Sequence, residues 1–162
     1  MSKTDLGKSW ETVFRRSWEK QFPGTFIHRL PDQMSGYRET SGNPCDFLCY
    51  PGYCGLFMVE CKEHLGASIP FTAIPQYERL LKYKGRKNVY PGCIIWFSEK
   101  DKIIWVDIDE IEKMVNDGEK SIGLRMLKEG LYNIIEIPGE KKRIFIEPDL
   151  HYLINLKDGG QD

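Results

Sequence analysis

The sequence predicts an α/β fold in which a central mixed β-sheet is flanked by helices. Three observations support this prediction. An amphipathic helical pattern opens the chain at Thr4–Gln21, and two apolar runs then surround a turn rich in proline and glycine, which is typical of a β-hairpin. A continuous apolar run at Pro91–Ser98 is typical of a strand buried on both faces. The length of 162 residues suits one core, so we expect a single domain over residues 1–162.

The composition is that of an ordinary globular protein, with 41% hydrophobic residues, 29% charged residues and a formal net charge of −1. No run approaches the roughly 18 apolar residues that span a bilayer, and the N-terminus lacks the apolar stretch of a signal peptide. We therefore expect a cytoplasmic protein without a membrane partner. The five cysteines form no CxxC pair, which favours small buried thiols over a zinc site.

The first half of the chain is predicted to form a helix, three strands and a second helix. Apolar residues recur at helical spacing at Trp10, Phe14 and Trp18, and Pro23 ends that helix. The elements that follow are a strand at Thr25–Leu30, a loop at Pro31–Asn43, a hairpin at Pro44–Lys62 and a helix at roughly Thr72–Lys84 that begins near Pro75.

The second half begins with the buried strand at Pro91–Ser98, which forms a hairpin with Lys102–Val106. Asp107 or Asp109 then opens a helix that Gly118 closes. The remaining predictions are a short helix around Ser121–Glu129, a last strand at Arg143–Ile146, a strand or helical turn at His151–Leu156 and a frayed polar tail at Lys157–Asp162.

Three charges interrupt the apolar runs of the first hairpin, namely Asp46, Glu60 and Lys62. Side chains alternate along a strand, so Glu60 and Lys62 point to the same face, and pairing around the turn brings Asp46 near Glu60. Two carboxylates repel unless a proton or a cation lies between them, and oxygen ligands favour a hard cation, Mg²⁺ first. The alternative is a solvated surface pair, which is about as common for this pattern.

Two further residues are candidates for the same site. Glu11 lies at the border of the apolar stripe of the first helix, where a carboxylate is either a solvated edge residue or reaches over the sheet into the site. Gln76 follows Pro75 at the start of the second helix and can project back toward the strand ends.

Basic and polar residues elsewhere are candidates for binding phosphates. The net charge of −1 counts mildly against a nucleic-acid partner, but the acidic stretch at 107–119 accounts for much of the negative charge. For any one basic run, a solvated surface is an equally good interpretation. The candidates are Arg38 and Ser41 in the loop, and Lys82, Lys84, Arg86 and Lys87 after the second helix.

Several motifs in this order resemble those of known nucleases. Pro44-Cys45-Asp46 with Glu60-Cys61-Lys62 resembles the PD-(D/E)xK nuclease motif. Gly7-Lys8-Ser9-Trp10-Glu11 is similar to the start of RecU-type Holliday-junction resolvases, and Ser68-Ile69-Pro70-Phe71 and Gln76 are similar to later RecU positions. Arg38 and Ser41-Gly42 before Pro44 and Asp46 are similar to archaeal Holliday-junction resolvases. The resemblance covers about residues 4–100.

This resemblance implies the restriction-endonuclease-like fold and a homodimeric, Mg²⁺-dependent endonuclease that nicks four-way DNA junctions, with Mn²⁺ as a substitute ion. Asp46, Glu60 and Glu11 correspond to the metal carboxylates, Lys62 to the catalytic lysine and Gln76 to a residue that positions the site. The main-chain carbonyl of Cys61 is a further candidate ligand. No long insertion corresponds to the stalk of bacterial RecU enzymes, which favours a compact phage or mobile-element version.

Three alternatives remain open from the sequence. The first is another nuclease of the same fold that cuts linear or flap DNA. The second is a non-catalytic DNA-binding relative, and the third is a generic α/β domain with chance motif matches. No role is assigned to His28 or His151, and His64 either contacts phosphate or forms a polar strand end.

Overall fold

A six-stranded β-sheet forms the centre of the computed structural model, which describes residues 3–31 and 42–159. The strands at Leu56–His64 and Val89–Phe97 pair in parallel, and the other neighbouring strands pair antiparallel, so the sheet is mixed as the sequence predicts. In the order in which they pair, the strands are β1 (Phe26–Arg29), β2 (Phe47–Tyr50), β3 (Leu56–His64), β5 (Val89–Phe97), β6 (Lys102–Asp107) and β8 (Ile134–Ile137).

Two small sheets and five helices surround this sheet in the described residues. Strand β4 (Ser68–Pro70) pairs with β7 (Ser121–Gly123), and β9 (Gly139–Lys141) pairs with β10 (Ile146–Pro148). In the part of the chain that the structure describes, no helix is both long and apolar enough to cross a membrane. The helices are α1 (Lys3–Gln21), α2 (Tyr77–Leu81), α3 (Ile108–Asn116), α4 (Arg125–Glu129) and α5 (Leu150–Gly159).

Helices α1 and α5 cover one face of the sheet. The helical spacing of Trp10, Phe14 and Trp18 turns one stripe of α1 inward, and all three side chains are buried. The indole N–H of Trp10 donates to the carbonyl of Ile94 at 3.2 Å, which anchors α1 to the middle of β5. We refer to this side of the sheet as the α1 face.

Helices α2, α3 and α4 contribute to a second core on the opposite side, which we call the α3 face. Ile108, Ile111 and Met114 of α3 pack there on alternate residues of β5 and β6. Helix α3 starts after Asp107, which has extended backbone angles, and acidic residues in the first turn suit the helix dipole. Strands β3 and β5 are therefore buried on both faces, as the apolar run in β5 predicts.

The predicted helix at Thr72–Lys84 is shorter in the structure. A 3-10 turn at Phe71–Ala73 is followed by Ile74, whose φ of −123° and ψ of 67° are not helical. Pro75 disfavours helical angles in the residue before it, so α2 begins only at Tyr77. The predicted helix at Ser121–Glu129 is likewise shortened, because Ser121–Gly123 pairs with β4 and α4 begins at Arg125.

The C-terminal third differs most from the sequence prediction. Strand β8, at the edge of the main sheet, was not predicted, and the strand expected at Arg143–Ile146 is instead β10, at Ile146–Pro148. Residues 151–156 are helical within α5. The tail is not frayed at Lys157, because Lys157 is in α5 and its ammonium group pairs with Asp107.

Candidate metal-binding and nucleic-acid site

The hairpin of β2 and β3 places Asp46 beside Glu60. Phe47 pairs with Val59, so Asp46, which immediately precedes β2, lies opposite Glu60. The Asp46 N–H donates to the Val59 carbonyl at 3.0 Å, and the Leu30 N–H donates to the Asp46 carbonyl at 2.8 Å. Hydrogen bonds on both sides therefore fix the backbone that carries the Asp46 carboxylate.

The carboxyl groups of Asp46 and Glu60 lie within hydrogen-bonding reach of each other. One Asp46 oxygen, Oδ2, accepts the Cys61 N–H at 2.9 Å, and the Lys62 ammonium group lies 3.6 Å from Glu60 Oε1. Glu60 is 1% exposed, and its second oxygen, Oε2, is buried without a hydrogen-bond partner. Burial, and then the charge of Asp46, raises the pKa of Glu60 to about 9. A single ammonium group thus faces two carboxyl groups.

A cavity of about 170 Å³ opens beside these carboxyl groups and is also lined by Gln76 and Arg79. This volume is well above the roughly 10–15 Å³ that one water molecule needs. The Gln76 Oε1 atom is buried without a hydrogen-bond partner. Two orphaned oxygens, one from Glu60 and one from Gln76, therefore lie around a polar cavity, an arrangement suited to a ligand that accepts lone pairs.

Arg79 is a site residue that the sequence analysis missed. Its guanidinium group lies against Gly42 and donates to the Asn43 carbonyl at 3.4 Å, across the cavity from the carboxylates. The sequence feature that could have identified Arg79 is its position three residues after Gln76, since residues three apart share one side of a helix.

Glu11 does not join the carboxylate pair in this structure. It belongs to α1 on the α1 face, where its Oε2 atom accepts a hydrogen bond from Arg29 Nε at 3.0 Å and forms an ion pair with Arg29 Nη2 at 2.9 Å. Across residues 3–31 and 42–159, no three His, Cys, Asp or Glu side chains form a group that could hold a metal ion. A role of Glu11 as a metal ligand remains a prediction.

Comparison with known proteins identifies the fold. No protein-family model and no curated protein matches the sequence. Among solved structures, the chain is similar to Hjc from Archaeoglobus fulgidus, a Holliday junction resolvase from an archaeal hyperthermophile, with a TM-score of 0.50 and 16% identity. The match covers 76% of this chain and 93% of that chain. The fold is restriction-endonuclease-like. This confirms the predicted fold class.

Within the restriction-endonuclease-like fold, the donor set of the cavity fits Mg²⁺. Mg²⁺ is usually held by one or two carboxylates and completes its octahedron with water and substrate phosphate. Asp46 and Glu60 supply the carboxylates, and Gln76 supplies a neutral oxygen. The carbonyl of Cys61, a further predicted ligand, belongs to the residue whose N–H binds Asp46.

Cys45 packs on the α3 face near Glu60 and Cys49 packs on the α1 face, although alternation along one strand would place both on the same face. Cys45 precedes the first residue of β2, so the alternation does not extend to it. Burial, followed by the charges of Glu60 and Asp46, raises the pKa of the Cys45 thiol to about 12. The thiol is therefore protonated at neutral pH and does not compete with the carboxylates for a hard cation.

The predicted basic run is exposed and leads from the end of α2, whose Arg79 lines the cavity, to the start of β5. The run ends before β5, whose first residue, Val89, pairs with Leu56 of β3. Leu56 is four residues before Glu60, which is roughly 13 Å along the strand at 3.3 Å per residue. Lys84 forms an ion pair with Glu112, and Arg86 lies 5.2 Å from the ring centroid of Tyr83. Binding of DNA by Lys82, Lys84, Arg86 and Lys87 remains a prediction, and Arg38 and Ser41 lie outside the described residues.

The three histidines lie in different places. His64 ends β3, where its carbonyl accepts the Ser98 N–H at 2.9 Å. The His151 ring lies 4.3 Å from that of Phe22 on the α1 face. His28 is exposed on β1.

Proposed function

We propose that the chain is a divalent-metal-dependent DNA endonuclease that nicks four-way junctions by phosphodiester hydrolysis. The observation that carries the proposal is the Asp46–Glu60 pair beside Lys62, at a polar cavity of a restriction-endonuclease-like fold. The Holliday junction resolvase Hjc, which shares this fold, supports the choice of substrate.

The electrostatics of the pair support a cation requirement. Glu60 is almost fully buried, and burial together with the neighbouring charge of Asp46 raises its pKa, so a nearby cation would favour its ionised form. Lys62 supplies part of the positive charge from 3.6 Å. A divalent cation held by Asp46, Glu60 and Gln76 would complete the balance, with Mg²⁺ the best match to oxygen ligands and Mn²⁺ a substitute.

The bound cation would screen the phosphate charge and lower the pKa of an attacking water molecule. The protein residues position the reaction around it. The Cys61 N–H holds Asp46 Oδ2 in a fixed place, so that the ligand set is preorganised. The Lys62 ammonium group, beside Glu60, stabilises negative charge that develops on the phosphoryl oxygens. Arg79, at the cavity, binds a phosphate through its planar fork.

A homodimer follows from the symmetry of the proposed substrate. Symmetric nicking of a four-way junction needs two copies of the cutting site, and one chain offers one carboxylate pair of this kind in its described residues. All five cysteines are free thiols and four of them are buried, which favours a reducing compartment such as the cytoplasm.

A cleavage assay with purified protein tests the proposal. A synthetic four-way junction, a flap and a linear duplex of matched sequence are incubated with Mg²⁺, with Mn²⁺ or with EDTA. We expect paired nicks in the junction with either metal and none in EDTA. Equal cleavage of the duplex would instead favour a restriction- or repair-type nuclease. Tight junction binding without cleavage in either metal would favour a non-catalytic DNA-binding protein.

A further inference from the structure

On the α3 face, the described residues leave side chains of β1 and β2 exposed, and these side chains are aromatic. Phe26 is 51% exposed and Tyr50 is 44% exposed, although both belong to regular strands of the central sheet. His28 is exposed beside them. We call these three residues the aromatic strip.

The three rings form one continuous patch. Phe26 pairs directly with Tyr50 across the two strands, and Phe26 and His28 are two residues apart on the same side of β1. The Phe26 and His28 rings have centroids 6.4 Å apart and planes within 27° of each other. The two rings are therefore roughly parallel and both exposed, as in a surface on which planar bases stack.

The strip lies on the same sheet face as the carboxylate pair. Tyr50 and Asp46 are four residues apart along one strand direction, or roughly 13 Å, which is about the length of four stacked nucleotides. Between them this face of β2 presents only Leu48.

A second copy of the chain is a poorer occupant. An aromatic side chain buries roughly 150–250 Å², so Phe26 and Tyr50 at about half exposure each offer roughly 100 Å². The strip thus offers well under half of the roughly 800 Å² per partner that a stable protein interface takes. Stacking of individual bases needs no more area than this, because each base uses one ring face.

We propose that the aromatic strip is a stacking platform for unpaired bases of the DNA strand that leads to the carboxylate site. This inference rests on the proposed function, because the strand is the one whose phosphate enters the cavity. Platforms of this kind tolerate any sequence, since every base has a π face. The strip would therefore select DNA with unstacked nucleotides, such as the strands at a branch point, over fully paired duplex.

Binding of a single-stranded oligonucleotide with one 2-aminopurine tests the platform, measured in EDTA so that cleavage plays no part. We expect wild-type protein to quench the 2-aminopurine fluorescence by stacking. A Phe26→Leu/Tyr50→Leu double variant should lose the quenching and bind roughly 5- to 150-fold more weakly, the range for loss of stacking on one base. Its binding should keep the wild-type salt dependence, because no phosphate contact is removed.

Tyr152 supplies the matched control, since it is an aromatic residue of α5 with 41% exposure. Tyr152→Leu should leave affinity and quenching unchanged, and melting curves should show that all variants are folded. Wild-type affinity and quenching in the double variant would overturn the platform. A double variant that changes from dimer to monomer without losing quenching would likewise overturn it and assign the strip to a protein interface.

The test separates the two proposals. A protein that cleaves junctions in Mg²⁺ but whose double variant binds and quenches like wild type contradicts the platform alone. A protein that stacks bases through the strip but cuts no DNA in Mg²⁺ or Mn²⁺ contradicts the nuclease assignment alone.

Discussion

Two largely buried acidic sites lie on strands of the same sheet and differ in the ratio of their acidic to their basic groups. At the end of β6, Asp107 accepts a hydrogen bond from the Trp105 indole N–H at 2.9 Å and pairs with Lys157 of α5. Asp107 and Lys157 are each 16% exposed in their side chains, and the charges match one to one. In the hairpin of β2 and β3, Lys62 forms an ion pair with Glu60, Asp46 lies beside Glu60, and the second Glu60 oxygen has no hydrogen-bond partner among the described residues.

The difference is our reason for proposing the hairpin pair, and not Asp107, as the functional site. Burial alone does not separate the two, because Asp107 is mostly buried too. What differs is that Asp107 is paired one to one with Lys157, whereas in the described residues two carboxyl groups lie beside the one ammonium group of Lys62, and burial there favours the neutral form of Glu60. Substitutions at the two sites should therefore have separable effects on activity and on stability.

The largest expected effect is on cleavage at the hairpin site. Asp46→Asn or Glu60→Gln should lower metal-dependent cleavage by at least about 10²–10³-fold, the loss typical of removing one group that stabilises transition-state charge. DNA binding in EDTA should remain within about twofold of wild type, an estimate that follows from phosphate contacts being made elsewhere. Single-turnover rates on a four-way junction, with filter binding in parallel, measure both. Cleavage at the wild-type rate by either variant would contradict the assignment.

The next largest expected effect is the gain in folding stability when a divalent metal ion binds. Mg²⁺ or Mn²⁺ at 100 times its dissociation constant should stabilise the wild-type fold by about 2.7 kcal/mol, because the ion binds the folded site and not the unfolded chain. Thermal melting with and without metal measures this. Asp46→Asn and Glu60→Gln should lose the metal response, whereas Asp107→Ala should keep it. A metal response that survives in both hairpin variants would place the ion elsewhere.

Substitution of Asp107, the structural carboxylate, should lower the stability of the fold without changing the cleavage rate. Asp107→Ala leaves the Lys157 ammonium group and the Trp105 indole N–H without their acceptor in a mostly buried place, which should cost about 1–3 kcal/mol. Urea unfolding measures the loss, and cleavage by the folded fraction should stay at the wild-type rate. A large drop in the cleavage rate with unchanged stability would mean that the two sites are not independent.

The parts of the site that the sequence predicted are those set by local rules. The Pro-Gly turn predicts the hairpin, strand parity then puts Glu60 and Lys62 on one face, and the structure shows both features. Gln76 lines the cavity as its place after Pro75 suggested. These inferences needed only spacing within one segment.

The parts that the sequence did not predict depend on how segments pack. For Glu11 the sequence offered a solvated edge position or a place in the site, and its ion pair with Arg29 of the neighbouring strand β1 could not be predicted from spacing within α1. Arg79 enters the site only because α2 lies against Gly42, which is distant in sequence. Strand β8 is a short run, and the available patterns do not separate an edge strand from a loop of four residues.

The smallest expected effect concerns Arg79, which faces the uncompensated carboxylates without pairing with them. Arg79→Ala should lower the cleavage rate about tenfold, which is about 1.4 kcal/mol, and reduce the slope of log affinity against log salt by about 1, as for loss of one phosphate contact. Arg79→Lys should recover part of the loss, since it keeps the charge but not the planar fork. Gly42→Ala should act like a weaker Arg79→Ala, because a Cβ there would displace the guanidinium group.

Arg125 of α4, which is paired with Glu119 and Glu129, is the matched control, and Arg125→Ala should change neither rate nor slope. If Arg79→Ala and Arg125→Ala gave the same rate and slope, Arg79 would be a surface residue and the phosphate would enter the cavity from another side.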